Sequence, residues 1–256
     1  MYATVGMIEK MLDECAPMET AEEYDNVGVL VGARDRKVTK ILVALDAAMS
    51  VVAEAKNIGA ELIVTHHPLM FHGRKQLLEE DAEGKILCEM VRAHLSLIAA
   101  HTNLDQTFLS GSAACARRLG LKNIRKGSDY LFLGELPEPR QANAYEDEIT
   151  NALFFPARCY CGESTLITTL AIGGGACDEK WMEARALGAQ ALLTGEVRHH
   201  NALAAAQEGF VIFDGGHCGT EAPLVPALAE YLQNRLTDVQ YNVRVYPSLS
   251  QPFGCL

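Results

Sequence analysis

The chain repeats part of itself. Residues 54–65 (EAKNIGAELIVT) and residues 183–194 (EARALGAQALLT) align without a gap, at an offset of 129 positions from 54 to 183. Glutamate, alanine, glycine, alanine and threonine recur in register. A repeat at fixed spacing is the sequence signature of a duplicated structural unit. The 256 residues suit one large domain or two smaller ones, and the repeat favours two.

Each copy reads as a strand, a helix and a second strand. The apolar run at 40–46 predicts a strand buried on both faces, and a helix follows between the N-cap candidate Ser50 and the terminating Gly59. Asp178 is the corresponding N-cap candidate in the second copy. Such units place parallel strands side by side through right-handed crossovers. We therefore expect an α/β fold with two similar domains, each with a mixed, mostly parallel sheet flanked by helices.

The predicted strands end in histidines and carboxylates. Open α/β sheets gather ligand-binding groups at the carboxyl ends of their strands, and an H-x-x-x-[DE] pattern follows an apolar run in both halves. Imidazole and carboxylate are ligands for zinc, iron, manganese and related divalent metals. The candidate residues are Asp46, His66, His67, His101, Asp105, His217 and Glu221.

Five of these side chains would suffice for two ions. Neighbouring His66 and His67 point apart in an extended segment, so each suits a different ion. If the segment is helical, Glu221 lies one turn beyond His217 and could bridge both ions, and Asp105 would supply a further oxygen. Two alternatives stay open. A buried histidine is often only a hydrogen-bonded core residue, and a His-His-Pro sequence also suits a turn held by its proline.

Charge and hydropathy exclude other classes of function. The formal charge is −11, from 33 acids and 22 bases, which opposes non-specific binding to nucleic acid. The densest basic cluster, between residues 117 and 126, is typical of the exposed face and end of a helix. No apolar run approaches the roughly 18 residues of a membrane span, and the N-terminal residues lack a signal-peptide core. We expect a cytoplasmic protein without a membrane or nucleic-acid partner.

Six motifs stand out along the chain, and they are EEYDNVGVLVG (22–32), ALDA (44–47), THHP (65–68), HTNLD (101–105), TGE (194–196) and GHCGTE (216–221). With them the chain resembles the Nif-three-like family, whose bacterial members are often named GTP cyclohydrolase I type 2 homologues, and the resemblance covers essentially the whole chain. In the first motif we interpret Asp25 and Asn26 mainly as turn formers.

The resemblance implies a dinuclear metal site. In it, His66 and Asp105 would hold one divalent ion, His67 and His217 the other, and Glu221 would be shared. The metal stays open among Fe, Mn, Zn and Mg, because a mixed set of histidine and carboxylate ligands does not select one.

The resemblance also implies an architecture and an assembly. A first α/β domain would span residues 1–127 together with the returning segment 237–256, and a second would span residues 128–236. Six chains would form a ring-shaped homohexamer, built as a trimer of dimers. The short spacing between Asp105 and Cys159 leaves no room for the inserted domain that some relatives carry.

The activity in the family name is hydrolytic. Water would attack C8 of the guanine ring of GTP, the small-molecule substrate, and formate would leave. His101 and Glu196 are the candidate catalytic proton shuttles, or they orient a metal ligand by a hydrogen bond. His199 and His200 are candidates for the cavity wall or are merely exposed on a helix. The alternative function is a non-catalytic metal-handling protein or a ring scaffold that binds partners.

Overall fold

The computed structural model describes residues 2–160 and 165–250. These residues form two compact units, which are residues 2–107 with 225–250 (unit 1) and residues 108–224 (unit 2). Both units combine helices with a mixed sheet of parallel and antiparallel strands. The predicted α/β fold class is therefore confirmed.

The strands of the described residues are named in chain order. They are β1 (Ala3–Thr4), β2 (Gly28–Val31), β3 (Lys37–Val38), β4 (Lys40–Ala44), β5 (Leu62–Thr65), β6 (Ser96–Ala99), β7 (Lys122–Ser128), β8 (Leu131–Gln141), β9 (Arg158–Tyr160), β10 (Leu166–Gly173), β11 (Ala191–Thr194), β12 (Val211–Asp214) and β13 (Arg244–Pro247).

The α-helices are named in the same way, and short 3-10 helices lie at Met18–Thr20 and Asp178–Lys180. They are α1 (Val5–Cys15), α2 (Met49–Ile58), α3 (Ala82–Arg92), α4 (Thr102–Asp105), α5 (Gly111–Arg118), α6 (Ala142–Leu153), α7 (Trp181–Ala186), α8 (His199–Gln207), α9 (His217–Glu221) and α10 (Leu224–Asp238).

Unit 1 contains a five-stranded sheet in the order β13-β4-β5-β6-β2. The first four strands run parallel, and β2 is an antiparallel edge strand. Ala44, Thr65 and Ala99 lie side by side at the carboxyl ends of β4, β5 and β6. Helices α2 and α3 cover one face, with Val52 and Met90 among the buried apolar residues. Three loops therefore leave the sheet at a common edge.

Unit 2 contains a six-stranded sheet in the order β7-β8-β10-β11-β12-β9. Strands β10, β11 and β12 run parallel, and Gly173, Thr194 and Asp214 lie side by side at their carboxyl ends. Residues that alternate along β10, β11 and β12 pack into two different apolar clusters, one on each face of the sheet. One cluster contains residues of α6, and the other contains Trp181 of α7. The sheet is thus covered on both faces, as expected for parallel strands.

Four strands of each sheet have the same arrangement, which is three parallel strands and an antiparallel edge strand. Ala44 pairs with Thr65, and Gly173 pairs with Thr194, so the register of the repeated strands is the same at the 129-residue offset seen in the sequence. In each unit the strand that follows is also parallel, and a strand from earlier in the chain closes the sheet in antiparallel fashion. This correspondence supports an internal duplication.

The two predicted N-caps are wrong. Helix α2 begins at Met49, and its N-cap residue is Ala48, so Ser50 lies inside the first turn. Asp178 begins a 3-10 helix, and its buried carboxylate accepts hydrogen bonds from Arg198 and Asn201. Burying the Asp178 carboxylate costs free energy, and the attraction to the Arg198 guanidinium offsets this cost. The predicted end of α2 is correct, because Gly59 adopts a left-handed conformation with φ of 69°.

None of the helices in ranges 2–160 and 165–250 is long and apolar enough to cross a lipid bilayer. The longest of them, α10, has 15 residues, whereas a span needs about 20.

Candidate metal centre

Three histidines meet at the carboxyl edge of the unit 1 sheet. His66 and His67 directly follow β5, and His101 follows the parallel neighbour β6. Their ring centroids are 4.8 Å apart for His66 and His67, 5.0 Å for His66 and His101, and 5.4 Å for His67 and His101. One ligand-capable nitrogen from each ring lies within 4.8 Å of the others. The strand order therefore brings the predicted residues into one histidine cluster.

His66 is the most buried member of the cluster, with no exposed surface. Its Nδ1 lies 3.0 Å from the carbonyl oxygen of Ala100, and its Nε2 lies 3.6 Å from Oδ2 of Asp105. Asp105 is the last residue of α4, one turn beyond His101. His66 and Asp105 thus lie within reach of one ion, which is the pairing that the family resemblance implies.

His67 is oriented by a carboxylate from the neighbouring strand. Its Nδ1 lies 2.8 Å from Oδ1 of Asp46, which follows β4. From the sequence, Asp46 is a candidate residue at the sheet edge but is not one of the five ligands of the two ions. In the structure Asp46 accepts a hydrogen bond from Nδ1 of His67, and Nε2 of His67 is therefore the candidate ligand nitrogen.

Asp25 is a site residue that the sequence interpretation missed. Its fully buried side chain lies 3.0 Å from Nδ1 of His101 and accepts hydrogen bonds from the backbone N–H and the hydroxyl of Thr102. Burial alone would raise the pKa of the Asp25 carboxyl. The hydrogen bonds from His101 and Thr102 and the attraction to His101 outweigh it, and they hold that pKa well below its ordinary value. Asp25 therefore remains an acceptor for His101 at neutral pH.

Unit 2 presents a second group at the equivalent edge of its sheet. His217 and Glu221 are the first and last residues of α9, which follows β12. Nε2 of His217 lies 3.2 Å from Oε2 of Glu221, whose side chain is almost completely buried. Nδ1 of His217 lies 2.7 Å from Oε1 of Glu196, the carboxylate of the TGE motif after β11. The predicted one-turn spacing thus places both ligand candidates on one side of a short helix.

Glycines let the loops of unit 2 approach these side chains. A Cβ on Gly195 would lie 2.5 Å from Cα of His217, and a Cβ on Gly175 would lie 2.4 Å from Oε1 of Glu221. The amides of the Gly173–Gly175 run face inward, because Gly174 donates to the hydroxyl of Ser112 and Gly175 to that of Thr220. Both of these amides therefore have partners within unit 2.

The four histidines at the two sheet edges, which are His66, His67, His101 and His217, all use Nδ1 for a hydrogen bond. In each, Nδ1 lies 2.7–3.0 Å from an oxygen acceptor, which belongs to Ala100, Asp46, Asp25 or Glu196. Donation from Nδ1 leaves the lone pair on Nε2. Histidines that bind metals in proteins almost always have their second nitrogen held in this way. Together with the carboxylates of Asp105 and Glu221, the donor set fits divalent metal ions of the zinc, iron and manganese group.

His199 and His200 are placed differently. They are the first two residues of α8, and both are exposed. His199 borders a shallow, mainly apolar groove beside Arg158, Tyr160 and Leu203. Neither residue joins the histidine cluster of unit 1 or the His217 group of unit 2.

The fold and these side chains define an α/β protein with histidine and carboxylate side chains that could hold a metal ion at the carboxyl ends of its parallel strands. The sequence model of the DUF34/NIF3 family (NGG1p interacting factor 3) matches residues 3–252. The chain belongs to this family, which confirms the resemblance seen in its motifs.

Individual relatives agree with this assignment. A Clostridium perfringens protein named "GTP cyclohydrolase 1 type 2 homolog" is 29% identical over 92% of this chain and 94% of its own length. A Streptomyces coelicolor protein of the same name is 31% identical over 93% of this chain and 88% of its own. The crystal structure of a hypothetical protein from Staphylococcus aureus superposes with a TM-score of 0.93 at 27% identity, covering 98% of both chains.

Proposed function

We propose that the chain binds two divalent metal ions and uses them to hydrolyse a small purine nucleotide. The ligands would be those that the family resemblance implies. His66 and Asp105 would bind one ion, His67 and His217 the other, and Glu221 would bind both. The observation that carries the proposal is that each of the three proposed histidine ligands has its Nδ1 held by an oxygen acceptor, which leaves Nε2 to face the ions.

Two bound ions would supply an acidified water and would orient a substrate oxygen or nitrogen. The protein contributes the placement of these groups. Ala100 and Asp46 fix the rings of His66 and His67, so little reorganisation is needed when ions bind. The near-complete burial of Glu221 excludes water from one side of its carboxylate.

His101 is the candidate that moves a proton. It lies beside His66 and His67 but outside the five implied ligands, and Asp25 holds its Nδ1. An imidazole held by a buried carboxylate can accept a proton at Nε2 and is stabilised when it does so. Glu196, in contrast, binds Nδ1 of His217, and we propose that it orients this ligand.

The names of the relatives point to the substrate class. Two of them are named "GTP cyclohydrolase 1 type 2 homolog". We propose that one water attacks C8 of the guanine ring of GTP and that the C8–N9 bond breaks, which leaves a formamide on N7. A second water then hydrolyses this amide bond, so that N7 becomes an amine and formate leaves. The assembly would be the ring-shaped homohexamer that the resemblance implies.

The test compares turnover in variants that lose one ligand. Metal-free protein is loaded with Mn, Fe, Zn or Mg and incubated with GTP, and released formate is measured. We expect metal-dependent formate release that is lost in His67→Ala and Glu221→Ala, while the assembly measured by light scattering is unchanged. Absence of formate release with every metal would contradict the cyclohydrolase activity. If bound metal then exchanged freely, the metal-handling alternative would be favoured.

A further inference from the structure

Two exposed aromatic side chains border the histidine cluster of unit 1. Tyr24 is 61% exposed and Phe71 is 38% exposed, and their ring centroids are 5.9 Å apart with the planes inclined by 36°. The Phe71 ring centroid lies 6.1 Å from that of His101. Single exposed aromatic residues are common on protein surfaces, but a contacting pair beside a candidate active site needs an explanation.

The backbone around this aromatic pair is held in place. The side-chain amide of Asn26 donates a hydrogen bond to the carbonyl oxygen of Met70, at 2.6 Å, and so ties the two loops together. Between Tyr24 and Asn26 lies Asp25, the acceptor for His101. Three consecutive residues of one motif therefore supply an aromatic ring, a partner for the histidine cluster and a link to the loop that carries Phe71. The pair is positioned before any substrate binds.

We propose that Tyr24 and Phe71 form a stacking shelf for a planar heteroaromatic ring of the substrate. Aromatic rings pack favourably in offset or tilted arrangements with centroids about 4.5–7 Å apart, and nucleic-acid bases stack readily on exposed tyrosine and phenylalanine. A sugar or phosphate group has no aromatic ring to contribute to such packing. The shelf therefore selects substrates that carry a planar ring.

The position of the shelf relates the ring to the chemistry. The inference rests on the proposed function, which places the reaction at the histidine cluster. Phe71 adjoins His101, and the rings of His66 and His67 lie 5.0 and 5.4 Å from that of His101. A ring stacked on Phe71 consequently has its edge next to the candidate metal ligands. Stacking alone tolerates any base, so the shelf fixes the class of substrate and leaves the choice among planar rings to other contacts.

Matched probes test the shelf by equilibrium binding. The probes are GMP, UMP and nicotinamide mononucleotide, compared with ribose 5-phosphate, which lacks the ring but keeps the sugar phosphate. We expect the ring-bearing probes to bind roughly 5- to 100-fold more tightly than ribose 5-phosphate. Phe71→Leu keeps an apolar side chain but has no π face, so the ring-bearing probes should lose most of their advantage in affinity over ribose 5-phosphate. Phe71→Trp should keep this advantage.

Phe154→Leu is the control, because Phe154 is 60% exposed and packs under Arg118 in unit 2. It should leave the binding ratio unchanged. Equal affinity of all four probes for the wild-type protein, or an unchanged ratio in Phe71→Leu, would overturn the shelf.

Metal content is measured on the same samples, and binding is measured with and without added metal. If Phe71→Leu keeps its full metal content but binds the ring-bearing probes no more tightly than ribose 5-phosphate, the result supports the shelf. If the wild-type protein binds no metal, the proposed function fails, while the probe ratio still decides whether the shelf exists.

Discussion

The buried carboxylate of Asp25 lies 3.0 Å from Nδ1 of His101 and so connects the loop before β2 to the loop after β6. This contact exists because β2 is an antiparallel edge strand that pairs with β6, with Gly28 opposite Ala99. The start of β2 and the end of β6 therefore lie at the same edge of the sheet. His101 is held by a residue that lies 76 positions earlier in the chain.

Replacing Asp25 with Asn removes the charge that stabilises a protonated His101. We expect metal-dependent turnover to fall about 10- to 100-fold, with the bound metal unchanged. Stopped assays of formate release, together with metal analysis of the same preparation, measure both quantities. Asp35→Asn, on an exposed residue, is the control. Normal turnover in Asp25→Asn would remove His101 from the proposed proton transfer.

The pH dependence of Asp25 has a definite sign. Its folded-state pKa lies well below the ordinary value of about 3.9, so its contribution to stability is present at pH 7 and above about pH 4. That contribution is lost as the pH falls below about 4. Urea unfolding at pH 4 and at pH 3 should therefore show that the difference in unfolding free energy between the wild type and Asp25→Asn narrows over this range. A difference that grew between pH 4 and pH 3 would contradict this.

Glu196→Gln tests the support of His217. The substitution weakens the hydrogen bond to Nδ1, and we expect affinity for the metal to fall about 10- to 100-fold. Competitive titration with a chromogenic chelator measures the affinity. Glu208→Gln, which replaces an exposed glutamate paired with Arg185, should leave the affinity unchanged. Equal metal affinity in Glu196→Gln and the wild type would show that Glu196 does not position the ligand.

Substitutions at Gly216 and Gly209 distinguish the free-energy cost of backbone strain from the cost of a steric clash. Both have positive φ, at 71° and 68°. A Cβ on Gly216 would lie 2.1 Å from the ring of Phe155, whereas a Cβ on Gly209 would meet no atom within 4 Å. Gly209→Ala should cost about 1–2 kcal/mol of unfolding free energy, and Gly216→Ala should cost about 1–3 kcal/mol more. Denaturant unfolding measures both, and equal losses would contradict the packing argument.

Asp178 stabilises unit 2 through Arg198. Burial opposes ionisation of Asp178, but hydrogen bonds from Arg198 and Asn201 dominate and lower the pKa of the carboxyl to about 2. Asp178→Asn should reduce the free energy of unfolding by about 2 kcal/mol at pH 7. The loss should diminish as the pH falls from about 4 towards 2, because the wild-type carboxyl is then protonated. An unchanged unfolding midpoint at pH 7 would contradict this role.

The sequence was sufficient for the fold class and for the convergence of the histidines. The repeat identified the parallel strands, and parallel strands in register place Thr65 and Ala99 at one edge, so His66, His67 and His101 had to meet. The one-turn spacing of His217 and Glu221 was also correctly predicted, because a short helix spans both residues.

The supporting contacts could not be predicted from the sequence. Asp25 reaches His101 only because β2 occupies the edge beside β6, and the order of strands in a sheet is not encoded by local patterns. Asp178 was assigned to helix capping on local grounds, but a distant arginine determines its position. In both cases a long-range contact prevailed over the local preference of an aspartate for turns and caps.

The metal content of the purified protein decides whether the chain binds two divalent ions. Metal-free protein is saturated with Mn or Zn, unbound ions are removed, and the metal is counted by mass spectrometry against protein concentration. We expect two ions per chain in the wild type and one or fewer in His66→Ala and His67→Ala. Less than one ion per chain in the wild-type protein, with all five implied ligands intact, would contradict it.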